Sequence, residues 1–133
     1  MQVKDFMSSS ISYVTWDTPI NDITMLMRSE NIGIVPVCDI QNHLLGVITD
    51  RDLIIRKEQG SIAEEIMTED VITIDAKEDI HQAALKFSKY GIHRLPVMEN
   101  NKLIGMLSLK DLAKKKVLTA EIGHIIYNIY NHK

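Results

Sequence analysis

The chain has 133 residues, 45% of them hydrophobic and 25% charged, with a net charge of −3 at pH 7. That is the composition of an ordinary globular domain, able to bury roughly two thirds of its unfolded surface without disulfides or a structural metal. A lone cysteine, Cys38, builds no disulfide framework, residues 1–7 lack the pattern of a signal peptide, and no run approaches the ~20 apolar residues of a membrane span. The expectation is a cytoplasmic protein with no membrane segment, and mixed-sign charge with no basic excess argues against nucleic acid as a partner.

In chain order, residues 1–7 read as a short lead-in helix or linker, followed by a β-branched strand at Ile11-Ser12-Tyr13-Val14. Ile20, Ile23 and Met27, with Met25 and Leu26 nearby, recur at helical spacing after Pro19, and Asn31 and Gly33 stop that helix. Met25 and Met27 read as core filling. Val35-Pro36-Val37-Cys38 and Leu44 to Ile48 flank a polar turn and form a hairpin, in which the proline needs an edge or an interruption of the ladder. A helix begins near Asp50. Residues 61–67 repeat the lead-in, and Val71-Ile72-Thr73-Ile74 repeat the strand. Ile80, Ala83, Ala84 and Phe87 mark a second helix closed by Gly91. Leu95-Pro96-Val97-Met98 and Leu103 to Leu107 make a second hairpin, and another helix starts near Leu109.

The order β-α-β-β-α therefore occurs twice, and residue matches support a duplication. An offset of 60 sets Met7 on Met67, Ile20 on Ile80, Ile32 on Ile92, and Pro36-Val37 on Pro96-Val97. After a one-residue deletion, Leu44, Gly46, Asp52 and Leu53 fall on Leu103, Gly105, Asp111 and Leu112, and Thr49 falls on Ser108. The expected domains are residues 1–60, residues 61–116 and a C-terminal amphipathic helix over 117–133. The last carries Ile122, Ile125, Ile126, Ile129 and Tyr130 at helical spacing, with Thr119 as a cap.

Ile34-Val35-Pro36-Val37 followed by Gly46-Val47-Ile48-Thr49-Asp50-Arg51-Asp52-Leu53, and Arg94-Leu95-Pro96-Val97 followed by Gly105-Met106-Leu107-Ser108-Leu109-Lys110-Asp111-Leu112, resemble a tandem pair of CBS domains, or Bateman module. The resemblance covers about residues 1–116 and is nearest to the free-standing bacterial pairs. It implies an α/β (α+β) fold of two repeats related by a pseudo-two-fold axis. It also implies a regulatory homodimer that binds an adenine nucleotide (AMP, ADP or ATP) or another adenosyl ligand in clefts between the repeats, with no required cofactor.

By the same resemblance, Asp52 and Asp111 take the ribose hydroxyls, which suits a two-oxygen anionic acceptor. Thr49 and Ser108 take the phosphate at a helix start. Backbone groups around Tyr13, Thr73, Ile34 and Arg94 read the adenine edge. Arg94, aided by His93 and by Lys110 or Arg51, neutralises a phosphate. Arg94 and His93 align with Ile34 and Gly33, so the Asp111 site is expected to prefer the more charged ligand and the Asp52 site to be weaker, less charged in its ligand, or empty.

Other readings of these residues stand beside this one. Thr49-x-x-Asp52 and Ser108-x-x-Asp111 are also plain capping boxes, and Arg94 also reads as a surface charge on an edge strand. The five histidines show no metal-ligand spacing, Cys38 reads as core, and neither an acid/base pair nor a glycine-rich phosphate loop is recognisable, so no enzyme and no metal are expected. The alternative function is a ligand-free structural or interaction module that dimerises. The sensing module would act on a regulated protein that the sequence does not name. The apolar tail has three places to bury its stripe: its own domain, a second chain, or a partner.

Overall fold

The structure, a computed structural model, describes residues 1–115, 123, 124, 127, 128 and 131. Its backbone forms two compact units. One comprises Ser12–Val71 with Asn101–Leu103, and the other comprises Met1–Ile11, Ile72–Asn100 and Ile104–Lys133.

In the first of these, a three-stranded sheet has the order β1 (Val14–Thr15), β2 (Ile34–Cys38), β3 (Leu44–Thr49). β1 lies parallel to β2, and β3 lies antiparallel to it. Helix α1 (Ile20–Glu30) buries Ile20, Ile23 and Met27 on the sheet against Val35, Val37 and Ile48. Each such side chain contributes about 1.5–3 kcal/mol through loss of its apolar surface from water. α1 ends on Asn31 in the left-handed conformation, φ 53°, whereas Gly33 lies beyond the cap. Met25, expected in the core, is 67% exposed, because it sits off the Ile20–Ile23–Met27 stripe. After β3 comes α2 (Asp50–Arg56), and after a short 3-10 turn at Lys57–Gln59 comes α3 (Ala63–Ile66).

The other unit repeats this plan with β4 (Ile74–Asp75), α4 (Ile80–Tyr90), β5 (Arg94–Glu99), β6 (Lys102–Ser108) and α5 (Leu109–Lys115). Its sheet order is β4-β5-β6. Phe87, Ile80, Leu95, Val97, Leu107 and Leu112 are almost completely buried in its core. Asp79 caps α4 by accepting the His81 backbone N–H, and Gly91, φ 63°, closes it.

The strands before the helices are shorter than expected. Only Val14 and Ile74 of the anticipated segments are in β1 and β4, because pairing starts at Val14 with Val37 and at Ile74 with Val97. The hairpin strand β2 is the central strand rather than an edge. Pro36 is tolerated there because it lies opposite Val47, whose own N–H and C=O turn away to Thr68. The missing donor of Pro36 therefore faces the side where β1 has not yet begun. The same placement corrects the edge-strand reading of Arg94, which opens the central strand β5.

The compact units are offset from the sequence repeats at 1–60 and 61–116 because the lead-in segments are exchanged. The first lead-in, with a 3-10 turn at Val3–Asp5, buries Val3 and Phe6 among Ile74, Ile80 and Leu107 of the second repeat. Ser8 exchanges backbone hydrogen bonds with Met106. The second lead-in does the reverse: Ala63 and Ile66 join the core of the first repeat, and Thr68 exchanges backbone hydrogen bonds with Val47. Gly46 and Gly105 permit this. A Cβ at Gly46 would stand 2.6 Å from the Thr68 carbonyl oxygen, and one at Gly105 would stand 2.9 Å from that of Ser8.

Most of the expected C-terminal helix, including Thr119, Ile122, Ile125, Ile126, Ile129 and Tyr130, lies outside the described residues. Gly123, His124, Tyr127 and Asn128 are helical, and the Asn128 side-chain amide donates to the Ser88 hydroxyl on α4.

Candidate ligand-binding site

Each unit gathers its candidate residues at one end of its sheet. In the first, Ile34 at the start of β2 pairs with Thr49 at the end of β3, and the Asp50 N–H donates to the Gly33 carbonyl. β1 runs parallel to β2, so the residues that precede it, Tyr13 among them, lie toward that same end. In the other, the Leu109 N–H donates to the His93 carbonyl, which sets the start of β5 beside the Ser108–Asp111 turn. Thr73, immediately before β4, lies toward the Arg94 end.

The two ends differ in what holds their aspartates. The Asp52 side chain is almost fully buried, with 7% of the residue exposed. Its Oδ2 accepts the Thr49 N–H at 3.0 Å and the Thr49 hydroxyl at 3.1 Å, while the Asp52 N–H donates to Thr49 Oγ1. This is the reciprocal capping box. The Thr68 hydroxyl lies across both carboxylate oxygens, 3.1 Å from Oδ1 and 3.2 Å from Oδ2. Asp111 is only half-buried. Its Oδ2 accepts the Ser108 N–H at 2.8 Å and its own N–H donates to Ser108 Oγ. Among the described residues nothing donates to Asp111 Oδ1.

Charge separates them further. His93, Arg94 and Lys110 are exposed near Asp111, and Arg94 has no ion-pair partner among the described residues. At the other end, Arg51 is exposed, but so is Asp50, whose Oδ2 lies 3.5 Å from where a Cβ on Gly33 would stand. One end thus presents a carboxylate with three basic side chains, and the other a more fully bonded carboxylate with one cation, Arg51, and a second anion, Asp50. Tyr13 is 52% exposed and Ile34 half-buried. The Thr73 carbonyl is not free, since Lys86 Nζ donates to it from α4.

Sequence reasoning missed Thr68, Asp50 and Lys86. Thr68 had a signal, because Met67-Thr68 repeats Met7-Ser8 with a hydroxyl in both copies. Asp50 had one in its alignment with the apolar Leu109. Lys86 aligns with Leu26, and its role depends on a side-chain reach that spacing does not encode.

Elsewhere, burial, with the Asp39 carboxylate adding to it, pushes the Cys38 thiol from 9.0 up to about 11. Hydrogen bonds from His43, the backbone N–H first, hold the half-buried Asp39 below the ordinary carboxylate range. No group of three or more His, Cys, Asp or Glu among the described residues is placed to hold a metal ion. No helix among them is long and apolar enough to cross a membrane.

With this geometry in view, comparison with known proteins defines the class. The CBS domain pattern matches residues 3–57 and again residues 63–117. The chain belongs to the CBS domain family as a tandem pair. It is 28% identical over 132 residues to the CBS domain-containing protein YhcV of Bacillus subtilis, covering 96% of this chain and 94% of that one. The CBS domain pair of protein MJ0100, in complex with 5'-methylthioadenosine and S-adenosyl-L-methionine, superposes with a TM-score of 0.76 at 29% identity, over 86% of this chain and 98% of that one. CBSX2 in complex with AMP superposes with a TM-score of 0.80 at 25% identity, over 90% of this chain and 98% of that one.

Proposed function

We propose that this CBS pair is a regulatory sensor of an adenosyl ligand, AMP, ADP or ATP before uncharged adenosyl groups, and that Asp111 anchors the ribose. The observation that carries this reading is the Asp111 carboxylate with one oxygen unclaimed by any described residue, at the sheet end where Arg94, His93 and Lys110 are exposed. A ribose diol donates two hydrogen bonds to such an acceptor, and a guanidinium matches two phosphate oxygens. The AMP and S-adenosyl-L-methionine complexes of similar CBS pairs support the ligand class. Ser108 would lie on the phosphate side and Thr73 on the adenine side. Asp52, Thr49, Arg51, Ile34 and Tyr13 would form the weaker counterpart.

A ligand regulates only through a difference in its affinity for two arrangements of the protein. The action proposed is therefore a population shift transmitted to a regulated protein rather than catalysis. A homodimer in a reducing, cytoplasmic setting fits the buried free thiol of Cys38 and the exposed apolar side chains of α1 and α2. The test is to denature purified protein and identify what it releases. Released AMP, ADP, ATP or S-adenosyl-L-methionine supports the sensor. No nucleotide, and none bound in equilibrium dialysis, contradicts it. A ligand-free structural module is the second reading, favoured specifically by the internally satisfied Asp52.

A further inference from the structure

The residue that separates the two ends is Thr68. Its backbone N–H and C=O are both bonded to Val47, at 2.8 and 2.9 Å, so its position is fixed by the exchanged lead-in segment. From there its hydroxyl lies across Oδ1 and Oδ2 of Asp52, 3.1 and 3.2 Å away. That hydroxyl is a third donor to a carboxylate already bonded twice by Thr49, and it competes with a ribose hydroxyl for the oxygens it faces. Ser8, its counterpart, makes the same backbone pair with Met106, yet among the described residues its hydroxyl bonds to no carboxylate.

We infer that Thr68 is a specificity-determining residue: its hydroxyl serves Asp52 as an internal substitute for one hydroxyl of the ligand diol and disfavours an adenosyl ligand at that end. This rests on the sensor reading above and adds one side chain to the charge difference between the two ends. A ligand whose diol takes the acceptor position that Thr68 uses displaces a hydrogen bond to a charged group, whereas a ligand at Asp111 Oδ1 displaces none from a described residue. The net worth of such a bond corresponds to about a tenfold difference in affinity or more. The arriving diol regains part of that by bonding to Asp52 itself, so about tenfold is the effect expected.

The experiment is calorimetric titration of the full chain with AMP, comparing wild type, Thr68→Val, Thr68→Ser and Asp111→Asn. Valine keeps the branched shape and replaces the hydroxyl by a methyl that cannot donate to Asp52, and Thr68→Ala, which also vacates the space, serves the same purpose. Wild type should show one strong site that Asp111→Asn abolishes. Thr68→Val should add a second site, or tighten a weak one about tenfold, and Asp52→Asn in that background should remove it. Thr68→Ser keeps the hydroxyl and should behave as wild type. AMP bound through Asp111 with Thr68→Val unchanged or weaker at Asp52 would overturn this inference and leave the sensor reading standing. No AMP bound by any variant would end both.

Discussion

Asp52 and Asp111 hold the same place in the two copies and meet different neighbours, so the same substitution should have different consequences. Asp52→Asn puts an amide donor against Thr49 and Thr68, two hydroxyls already oriented toward a carboxylate, in a nearly dry site. The apo protein should lose roughly 1–3 kcal/mol of stability, measured by denaturant unfolding. Asp111→Asn disturbs one backbone hydrogen bond at a half-exposed position and should cost the apo protein little. For Arg94→Ala, affinity for AMP should fall by roughly 1.5–3 kcal/mol while adenosine is scarcely affected. Equal losses would move Arg94 away from the phosphate. Cys38 gives a pH signature. Its folded-state pKa is raised, so its contribution to stability is complete below about pH 9 and declines as pH rises toward about 11, where only the unfolded chain has already lost the proton. Cys38→Ala should flatten that alkaline decline in the melting temperature. A decline unchanged in slope would show that other groups cause it.

At the level of elements, what the sequence discloses is local and what it hides is long-range. The helices α1 and α4 were legible because Ile20, Ile23, Met27 and Ile80, Ala83, Phe87 keep helical spacing and because Asn31 and Gly91 stop them. The hairpins were legible for the same reason, and so was the pairing of a hydroxyl with an aspartate three residues later. The exchange of the lead-in segments was not, since Val3 reaching the core around Ile80, or Ala63 that around Ile23, leaves no periodic trace. Nor was the Thr68–Asp52 bond, whose partners are sixteen residues apart in separate elements. Gly46 and Gly105 were visible as matched residues, but only the structure shows that each sits under a backbone carbonyl. Gly46→Ala should therefore destabilise by about 1–3 kcal/mol, because a rigid carbonyl rather than a flexible side chain must move. A melting temperature within a degree of wild type would contradict the close approach.

At the scale of the molecule, the exposed apolar side chains of the described residues are unevenly shared between the two repeats. Met25, Ile54 and Ile55 are 67%, 84% and 58% exposed on α1 and α2, beside an open depression of about 500 Å³ lined by Thr24, Leu53, Ile54, Ile55, Lys57 and Glu58. Of their counterparts Leu85, Ala113 and Lys114, only Leu85 is a large exposed hydrophobic. A chain of this size should cover the first set by self-association. Light scattering at micromolar concentration should give the mass of two chains, and Ile54→Lys with Ile55→Lys should return it to one. A wild-type mass of one chain would overturn the dimer.

Nucleotide sensing by this chain turns on Asp111 receiving the ribose, and the decisive measurement is the AMP-induced shift in melting temperature, wild type against Asp111→Asn. At ~100 times its dissociation constant a ligand specific for the folded state adds about 2.7 kcal/mol, which for a domain of this size is roughly 8–15 °C. Wild type should show that shift and Asp111→Asn should nearly lose it, with the apo melting temperature little changed. An apo melting temperature that falls sharply while the AMP shift survives would show that Asp111 only caps its helix.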